Sequence, residues 1–257
     1  MKIFTLLLSL ALSSSALAMS ADEVINKANL AAIYPGDDGR TQARMMIIDK
    51  QGRQQTRQFT ILRRNVEAGG DQQMLVFFAR PSDVRGTVFR VEKSVTQDDD
   101  RWLYLPGLDL VRRISAGDKR TSFVGSHFYY EDVSGRNPAE DNFEFIEQTE
   151  SSYLIQATPK DPRSVEFATY QIKIDADTWL PMMTQYFDAK GKIIRQIEAV
   201  QTQEIQGYPS VTRARIDDFS TGGHTLVEFR GIEYNLDLPT ELFSERSLRN
   251  PPTRYLR

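Results

Sequence analysis

The sequence predicts a mainly β protein in which one N-terminal helix precedes an antiparallel sheet. Three observations support this prediction. The spacing of apolar residues changes from a period of about 3.6 to a period of 2 after the break at 35–39. Turn sequences such as Lys50-Gln51-Gly52 separate most of the alternating stretches, as hairpin loops do between antiparallel strands. No β-α alternation occurs, so a doubly wound nucleotide-binding fold is not expected.

Residues 1–18 are predicted to be a signal peptide. Lys2 gives a positively charged start, Ile3–Leu12 form a short apolar run, and Ala16-Leu17-Ala18 matches a small-residue cleavage site. The run is shorter than the roughly 20 residues that cross a bilayer. We therefore expect cleavage after Ala18 and a periplasmic protein; a membrane anchor is the alternative.

Residues 19–257 are predicted to form a single domain, because no Pro/Ser-rich linker or fixed-period repeat divides them. The helix spans Ser20–Tyr34, with Ser20 as N-cap and Glu23 as its capping-box partner. Thirteen strands are predicted, at Gln42–Asp49, Thr56–Arg63, Gln73–Ala79, Thr87–Val91, Arg101–Leu105, Val111–Ile114, Phe143–Thr149, Ser152–Ala157, Phe167–Ile174, Met182–Phe187, Ile193–Val200, Ser210–Ile216 and Thr225–Arg230.

The composition excludes several classes of protein and site. The formal net charge of −3 offers no excess of positive charge for nucleic acid. The chain has no cysteine and two histidines, which excludes disulfides, thiolate chemistry and a three-histidine metal site. No G-x-S-x-G, Walker A, G-x-G-x-x-G or H-E-x-x-H motif occurs. We therefore expect no enzyme, no metal site and no cofactor.

Some strands are apolar on both faces, which indicates a sheet that is covered on both sides. Met74–Ala79 and Trp102–Leu105 are the examples, whereas the stretch around Phe59 and Ile61 alternates. With one clear helix available, the sheet either curls on itself or leaves an apolar concavity. Periodicity alone favours a third interpretation, an ordinary filled core.

Several stretches resemble one known family in order and spacing. They are Phe78–Thr87, Arg101–Pro106, Arg112–Ile114, Ser122–Asp132 and Tyr186–Gly191. Together they resemble the outer-membrane lipoprotein-sorting-protein-like family, which is related to the periplasmic carrier LolA and the acceptor LolB. The resemblance implies an incomplete antiparallel barrel, in which a curved sheet wraps around an N-terminal helix and short lid helices over an apolar cavity. His127 stands where the family often has an acidic residue, and Tyr129 where it has a smaller one.

The resemblance implies a periplasmic carrier of lipid or lipoprotein that hands cargo between membranes and is linked with an inner-membrane exporter of the resistance-nodulation-division type. Sixteen acyl carbons left in water would cost on the order of 12 kcal/mol, so such cargo needs an apolar shelter. We expect the cargo-binding face to contain Phe59, Ile61, Leu75, Phe77, Phe89, Trp102, Tyr104 and Met182. We expect the lid or rim to contain Val24, Leu30, Ile33, Phe128, Tyr129 and Tyr130.

Arg112 and Arg113 are candidates for contact with anionic headgroups. Ion pairs or protection of an edge strand are the plainer interpretation, and we prefer structural roles for Asp83, Arg85 and Asp132 as well. Two other functions stay open. One is an accessory subunit that docks on an exporter and carries nothing. The other is a hydrolase of envelope lipids, which would need His127 or His224 beside a nucleophile.

Overall fold

The structure is a computed structural model that describes residues 19–256. The predicted signal peptide, residues 1–18, lies outside the described residues. The helices are α1 (Ala21–Ile33), α2 (Tyr130–Ser134) and α3 (Arg246–Arg249). The strands are β1 (Asp38–Asp49), β2 (Gln54–Asn65), β3 (Gln72–Arg80), β4 (Val88–Lys93), β5 (Asp100–Leu105), β6 (Leu110–Ile114), β7 (Asp141–Gln148), β8 (Ser152–Pro159), β9 (Thr169–Asp175), β10 (Pro181–Phe187), β11 (Ile193–Ile205), β12 (Tyr208–Asp218) and β13 (Gly223–Tyr234).

Helix α1 begins at the predicted capping box. The Ser20 hydroxyl accepts a hydrogen bond from the Glu23 backbone N–H at 3.2 Å, and the Glu23 carboxylate accepts one from the Ser20 backbone N–H at 2.7 Å. These contacts satisfy two amide groups that a helix start otherwise leaves without partners. Val24, Ile25 and Ala28 are buried along one side of the helix. None of the helices within residues 19–256 combines the length and apolarity needed to cross a membrane.

All thirteen strands join one antiparallel sheet, as predicted. Their order is β6-β5-β4-β3-β2-β1-β13-β12-β11-β10-β9-β8-β7. Pairing of β1 with β13 joins the first six strands to the rest, so the chain returns beside its own first strand. Strands β6 and β7 remain the two edges, and the sheet is therefore open rather than a closed barrel.

Different parts of the chain cover the two faces of this sheet. The inner face is the one that contacts α1 and the central segment, defined as residues 115–140 between β6 and β7. The outer face of β2–β6 is covered by the C-terminal segment, residues 235–256. Leu238, Phe243 and Leu248 of that segment are buried against Leu62 and Leu75. The double-sided apolar strands thus have a cover on each side.

The C-terminal segment is fastened to the start of β1. The buried carboxylate of Asp38 accepts hydrogen bonds from the backbone N–H groups of Leu236 at 2.6 Å and Leu238 at 2.5 Å. Arg90, buried in β4, donates to the backbone carbonyl of Phe243. No sequence pattern predicted this segment as a cover, because its short helical turns show no sustained apolar period.

Candidate functional site

An aromatic cluster holds the central segment on the inner face. Phe123 of that segment is 1% exposed, and its ring centroid lies 5.6 Å from that of Phe78 and 5.5 Å from that of Phe89. Tyr130, the first residue of α2, is also buried, with its ring 5.1 Å from Phe89. Tilted and edge-on pairs at these distances add to the stabilisation that burial provides. The central segment is therefore packed on the sheet through its aromatic residues.

Three largely apolar cavities remain around the central segment and α1. The first, about 150 Å³, is lined by Met45, Phe59, Ile61, Phe123, Phe128, Asp132, Val133, Val227 and Phe229. The second, about 260 Å³, shares Ile61, Val133 and Phe229 with the first and extends to Ala31, Ala32, Ile33, Pro35, Thr41, Arg63, Met74, Leu180, Pro181, Pro209, Ser210, Val211, Ile232 and Tyr234. The third, about 180 Å³, shares Ala32, Ile33 and Pro181 with the second and extends to Ile25, Ala28, Asn29, Gly135, Arg136, Pro138, Phe143, Tyr170, Ile172, Thr184 and Tyr186.

Shared walls make the three cavities neighbours along one face. Each is smaller than the roughly 300–1,000 Å³ of a typical small-ligand pocket, and together they reach that range. Their lining is aliphatic and aromatic with a few polar groups. This lining suits an apolar chain, whereas a compact polar substrate would find few hydrogen-bond partners.

A buried ionic cluster fixes the ends of the central segment. Glu131, 3% exposed, accepts ion pairs from Lys119 at 3.1 Å, Arg136 at 3.2 Å and Arg120. Arg136 also contacts the buried Asp141 at 2.7 Å. Burial acts to raise the pKa of Glu131, but the three cations outweigh it and hold the pKa below its ordinary value. The carboxylate thus stays ionised and neutralises charges that would be costly to bury alone.

A second ion pair ties the first turn of α2 to the sheet. Asp132 contacts Arg195 of β11, which is 2% exposed, and Arg195 Nη1 donates to Asp132 Oδ1 at 3.1 Å. The Arg195 guanidinium also lies 4.0 Å from the ring centroid of Tyr129 and donates to the His127 carbonyl. Asp132 lines the smallest of the three cavities. The structural role predicted for Asp132 is consistent with these contacts.

The structure divides the eight predicted cargo residues between the two faces. Phe59, Ile61 and Phe89 lie on the inner face, and Phe59 and Ile61 line cavities. Half-buried Met182 on β10 belongs to neither the inner-face nor the outer-face cluster. The other four pack under the C-terminal segment on the outer face: Leu75, Phe77, Trp102 and Tyr104. The eight residues therefore do not share one face, as we expected. Alternate residues of a strand point to opposite faces, and these four occupy the positions that point outward.

The predicted rim residues are also placed differently from one another. Val24 is fully buried against β8 and β9, and Ile33 borders two cavities. Leu30 is 45% exposed, lies near the β2–β3 turn and lines none of the three cavities. In the central segment, Phe128 is half-buried and lines a cavity. Tyr129 stacks with Arg195 and Tyr130 joins the aromatic cluster, as described above.

The remaining candidates have ordinary structural contacts. Arg112 and Arg113 are exposed on the edge strand β6, where Arg112 lies 3.7 Å from Asp118 and Arg113 pairs with Asp100. His127 precedes α2, and its Nδ1 lies 2.8 Å from the Thr225 hydroxyl. Across residues 19–256 no group of three or more potential metal-ligating side chains comes together.

Arg63, a residue not predicted from the sequence, lies at the second cavity. Arg63 follows Phe59 and Ile61 on the same alternation of β2 and lines the cavity of about 260 Å³. The signal was present in the sequence, because residues i, i+2 and i+4 of a strand share a face. A single basic residue near a strand end is common, however, and the sequence gives no means of seeing its neighbours.

Comparisons with solved structures identify the same fold in other proteins. A DUF1329 family protein from Desulfovibrio piger is 27% identical with a TM-score of 0.79, over 88% of this chain and 97% of its own. A domain from Vibrio parahaemolyticus, described as a candidate outer membrane lipoprotein-sorting protein, is 23% identical with a TM-score of 0.81, over 89% and 98%. A LolA superfamily protein from Nitrosomonas europaea is 16% identical with a TM-score of 0.67, over 89% and 99%.

These neighbours confirm the resemblance that the sequence motifs predicted. No curated protein matches the chain. A family model, described only as that of an uncharacterized protein, matches residues 70–250. That span runs from the start of β3 to the end of α3 and includes the whole central segment. Because the model covers well over half of the chain, the protein belongs to this family, and its fold is the one seen in the lipoprotein-sorting and LolA superfamily structures.

Proposed function

We propose that the protein is a periplasmic carrier that shelters acyl chains of a lipid or lipoprotein on the inner face of its sheet and hands them between membranes. The observation that carries the proposal is the row of adjoining apolar cavities between α1, the central segment and the sheet. Each methylene moved from water into such a cavity contributes about 0.8 kcal/mol. The shared fold of a lipoprotein-sorting domain supports the same assignment.

Carriage in this proposal involves no catalytic step. The side-chain hydroxyl that contacts His127 belongs to Thr225, which is fully buried, so a substrate would have no access to it. The second candidate function is an accessory subunit of an inner-membrane exporter of the resistance-nodulation-division type. It is supported by exposed apolar side chains beside edge strand β6, where Leu108 is 73% and Leu110 46% exposed.

Native mass spectrometry of protein purified gently from the periplasm, followed by lipid extraction, tests the proposal. We expect a stoichiometric acylated species. Ala32→Trp should reduce its occupancy, because Ala32 is exposed at the end of α1 and lines two of the cavities. Ala116→Trp is the matched control, since it adds the same side chain at an exposed position outside the three cavities. A lipid-free mass and no uptake of membrane lipid would contradict the carrier and favour the exporter subunit.

A further inference from the structure

Arg63 brings a positive charge to an otherwise largely apolar cavity. On β2 it lies across from Met74 of β3 and Gly39 of β1. Phe59, Ile61 and Arg63 occupy alternate positions of the strand and share the inner face. Along β2, the wall of the cavity is apolar at Ile61 and positively charged at Arg63, which lies nearer the end of α1.

Among the residues that the structure describes, no carboxylate lies at ion-pair distance, 4.0 Å or less, from Arg63, and the charge of the buried Asp38 acts on it only from farther away. Arg63 is half-buried, and two more deeply buried guanidiniums of the inner face do have an ion-pair partner: Arg101 pairs with Asp99, and Arg195 with Asp132. Burial lowers the pKa of Arg63 to about 10. The side chain therefore stays protonated at neutral pH, and its burial carries an electrostatic cost that a bound anion would offset.

The structural contacts of Arg63 use part of its hydrogen-bonding capacity. Nη1 donates to Asn65 Oδ1 at 2.8 Å, and Nη2 donates to the backbone carbonyl of Pro35, just beyond the end of α1. Asn65 also donates to the Gly36 carbonyl at 2.8 Å. A guanidinium has five N–H donors in a planar fork that matches a carboxylate or phosphate. The two contacts fix the orientation of the fork and leave donors for a ligand.

We propose that Arg63 binds the anionic headgroup of a single-chain acyl amphiphile whose hydrocarbon chain lies beside Ile61, Val133 and Phe229. This inference rests on the proposed carrier function and adds to it the class of cargo. Carboxylate and phosphate headgroups share the required chemistry. The cavity that Arg63 lines adjoins the two others, so the chain would extend away from the charge into apolar surroundings.

Equilibrium binding of matched sixteen-carbon ligands tests the inference. The ligands are the fatty acid, the alkyl phosphate and the uncharged alcohol, and inorganic phosphate alone separates headgroup binding from amphiphile binding. We expect the wild type to prefer the two anionic amphiphiles over the alcohol by about tenfold or more, as one charge-assisted contact provides. Arg63→Gln should remove that preference while alcohol binding persists, and Arg63→Lys should keep part of it.

Arg64→Gln is the matched control, because it removes the same charge from the neighbouring residue, whose side chain points to the other face. It should leave the preference unchanged. Equal wild-type affinity for acid and alcohol, or a preference that survives Arg63→Gln, would overturn the inference and leave the carrier intact. Wild-type protein that binds none of the amphiphiles would instead contradict the carrier itself. Equal loss of acid and alcohol binding in a folded Arg63→Gln protein would assign Arg63 to holding the end of α1 and also overturn the inference.

Discussion

Truncation of Phe123 to alanine tests whether the central segment is held by its aromatic residues. Phe123 is 1% exposed and its ring lies 5.5–6.4 Å from the centroids of Phe59, Phe78, Phe89 and Tyr130. Truncating a fully buried phenylalanine costs about 3–5 kcal/mol of unfolding free energy, from lost transfer energy and the cavity left behind. Domains of this kind have about 5–15 kcal/mol in total, so we expect a folded but clearly weakened variant.

Phe243→Ala is the matched control for this prediction. Phe243 is also 1% exposed, but it lies under the C-terminal segment on the outer face. Both variants should lower the urea midpoint by similar amounts with little change in m. Only Phe123→Ala should alter binding of a fluorescent fatty acid, because only Phe123 lines one of the inner-face cavities.

Two results would refute this reasoning. A loss below about 1 kcal/mol for Phe123→Ala would mean that the central segment is not packed as a core element. An equal change in fatty-acid binding for Phe243→Ala would mean that binding does not take place on the inner face.

Two further predictions concern the ionic contacts. Glu131→Gln removes a buried carboxylate that Lys119, Arg120 and Arg136 share. Each cation keeps another carboxylate, in Glu140, Glu166 or Asp141, so we expect a loss of about 1–3 kcal/mol of unfolding free energy at pH 7. Because the folded pKa of Glu131 is lowered, its contribution is present above the unfolded pKa of about 4.5 and is lost as pH falls through the folded value. Urea unfolding at pH 7 and pH 3 should therefore show a smaller difference between wild type and variant in acid, and a constant difference would contradict this. Asp38→Ala removes the carboxylate that accepts hydrogen bonds from the Leu236 and Leu238 amides. Amide hydrogen exchange should become faster throughout residues 236–256, with no matching change in α1. Unchanged exchange in 236–256 would show that another contact holds the segment in place.

The strands and α1 could be predicted because each depends on local patterns. Alternation identified thirteen strands, and the Ser20–Glu23 pair identified the helix start. Hairpin-length turns then implied antiparallel neighbours, which accounts for most of the sheet order. The pairing of β1 with β13 joins strands that are far apart in the sequence, so no local sequence pattern predicts it.

The side of the sheet on which a residue lies could not be predicted where both alternations are apolar. In β3, Leu75 and Val76 are both fully buried, one under the C-terminal segment and one under the central segment. Hydrophobicity is the same for the two, and only the strand register decides which side each one faces. The cargo prediction therefore mixed residues of both faces, whereas Phe59 and Ile61 lie in a strand with cleaner alternation and were placed together.

The difference between the two covers gives a physical reason for the position of the cavities. On the outer face one continuous segment, residues 235–256, packs across neighbouring strands and buries Phe243 and Leu248 between them. On the inner face the cover consists of two separate pieces, α1 and the central segment, which meet where Ile33 lies against Gly135. Each piece is fixed by its own contacts, so neither can shift to fill the space beside the other without losing buried aromatic or ionic partners. Two of the three apolar cavities, those of about 180 and 260 Å³, lie at this junction. Closing them would disturb the Glu131 ion pairs or the packing of Phe123, and the proposed acyl chain would be buried there instead.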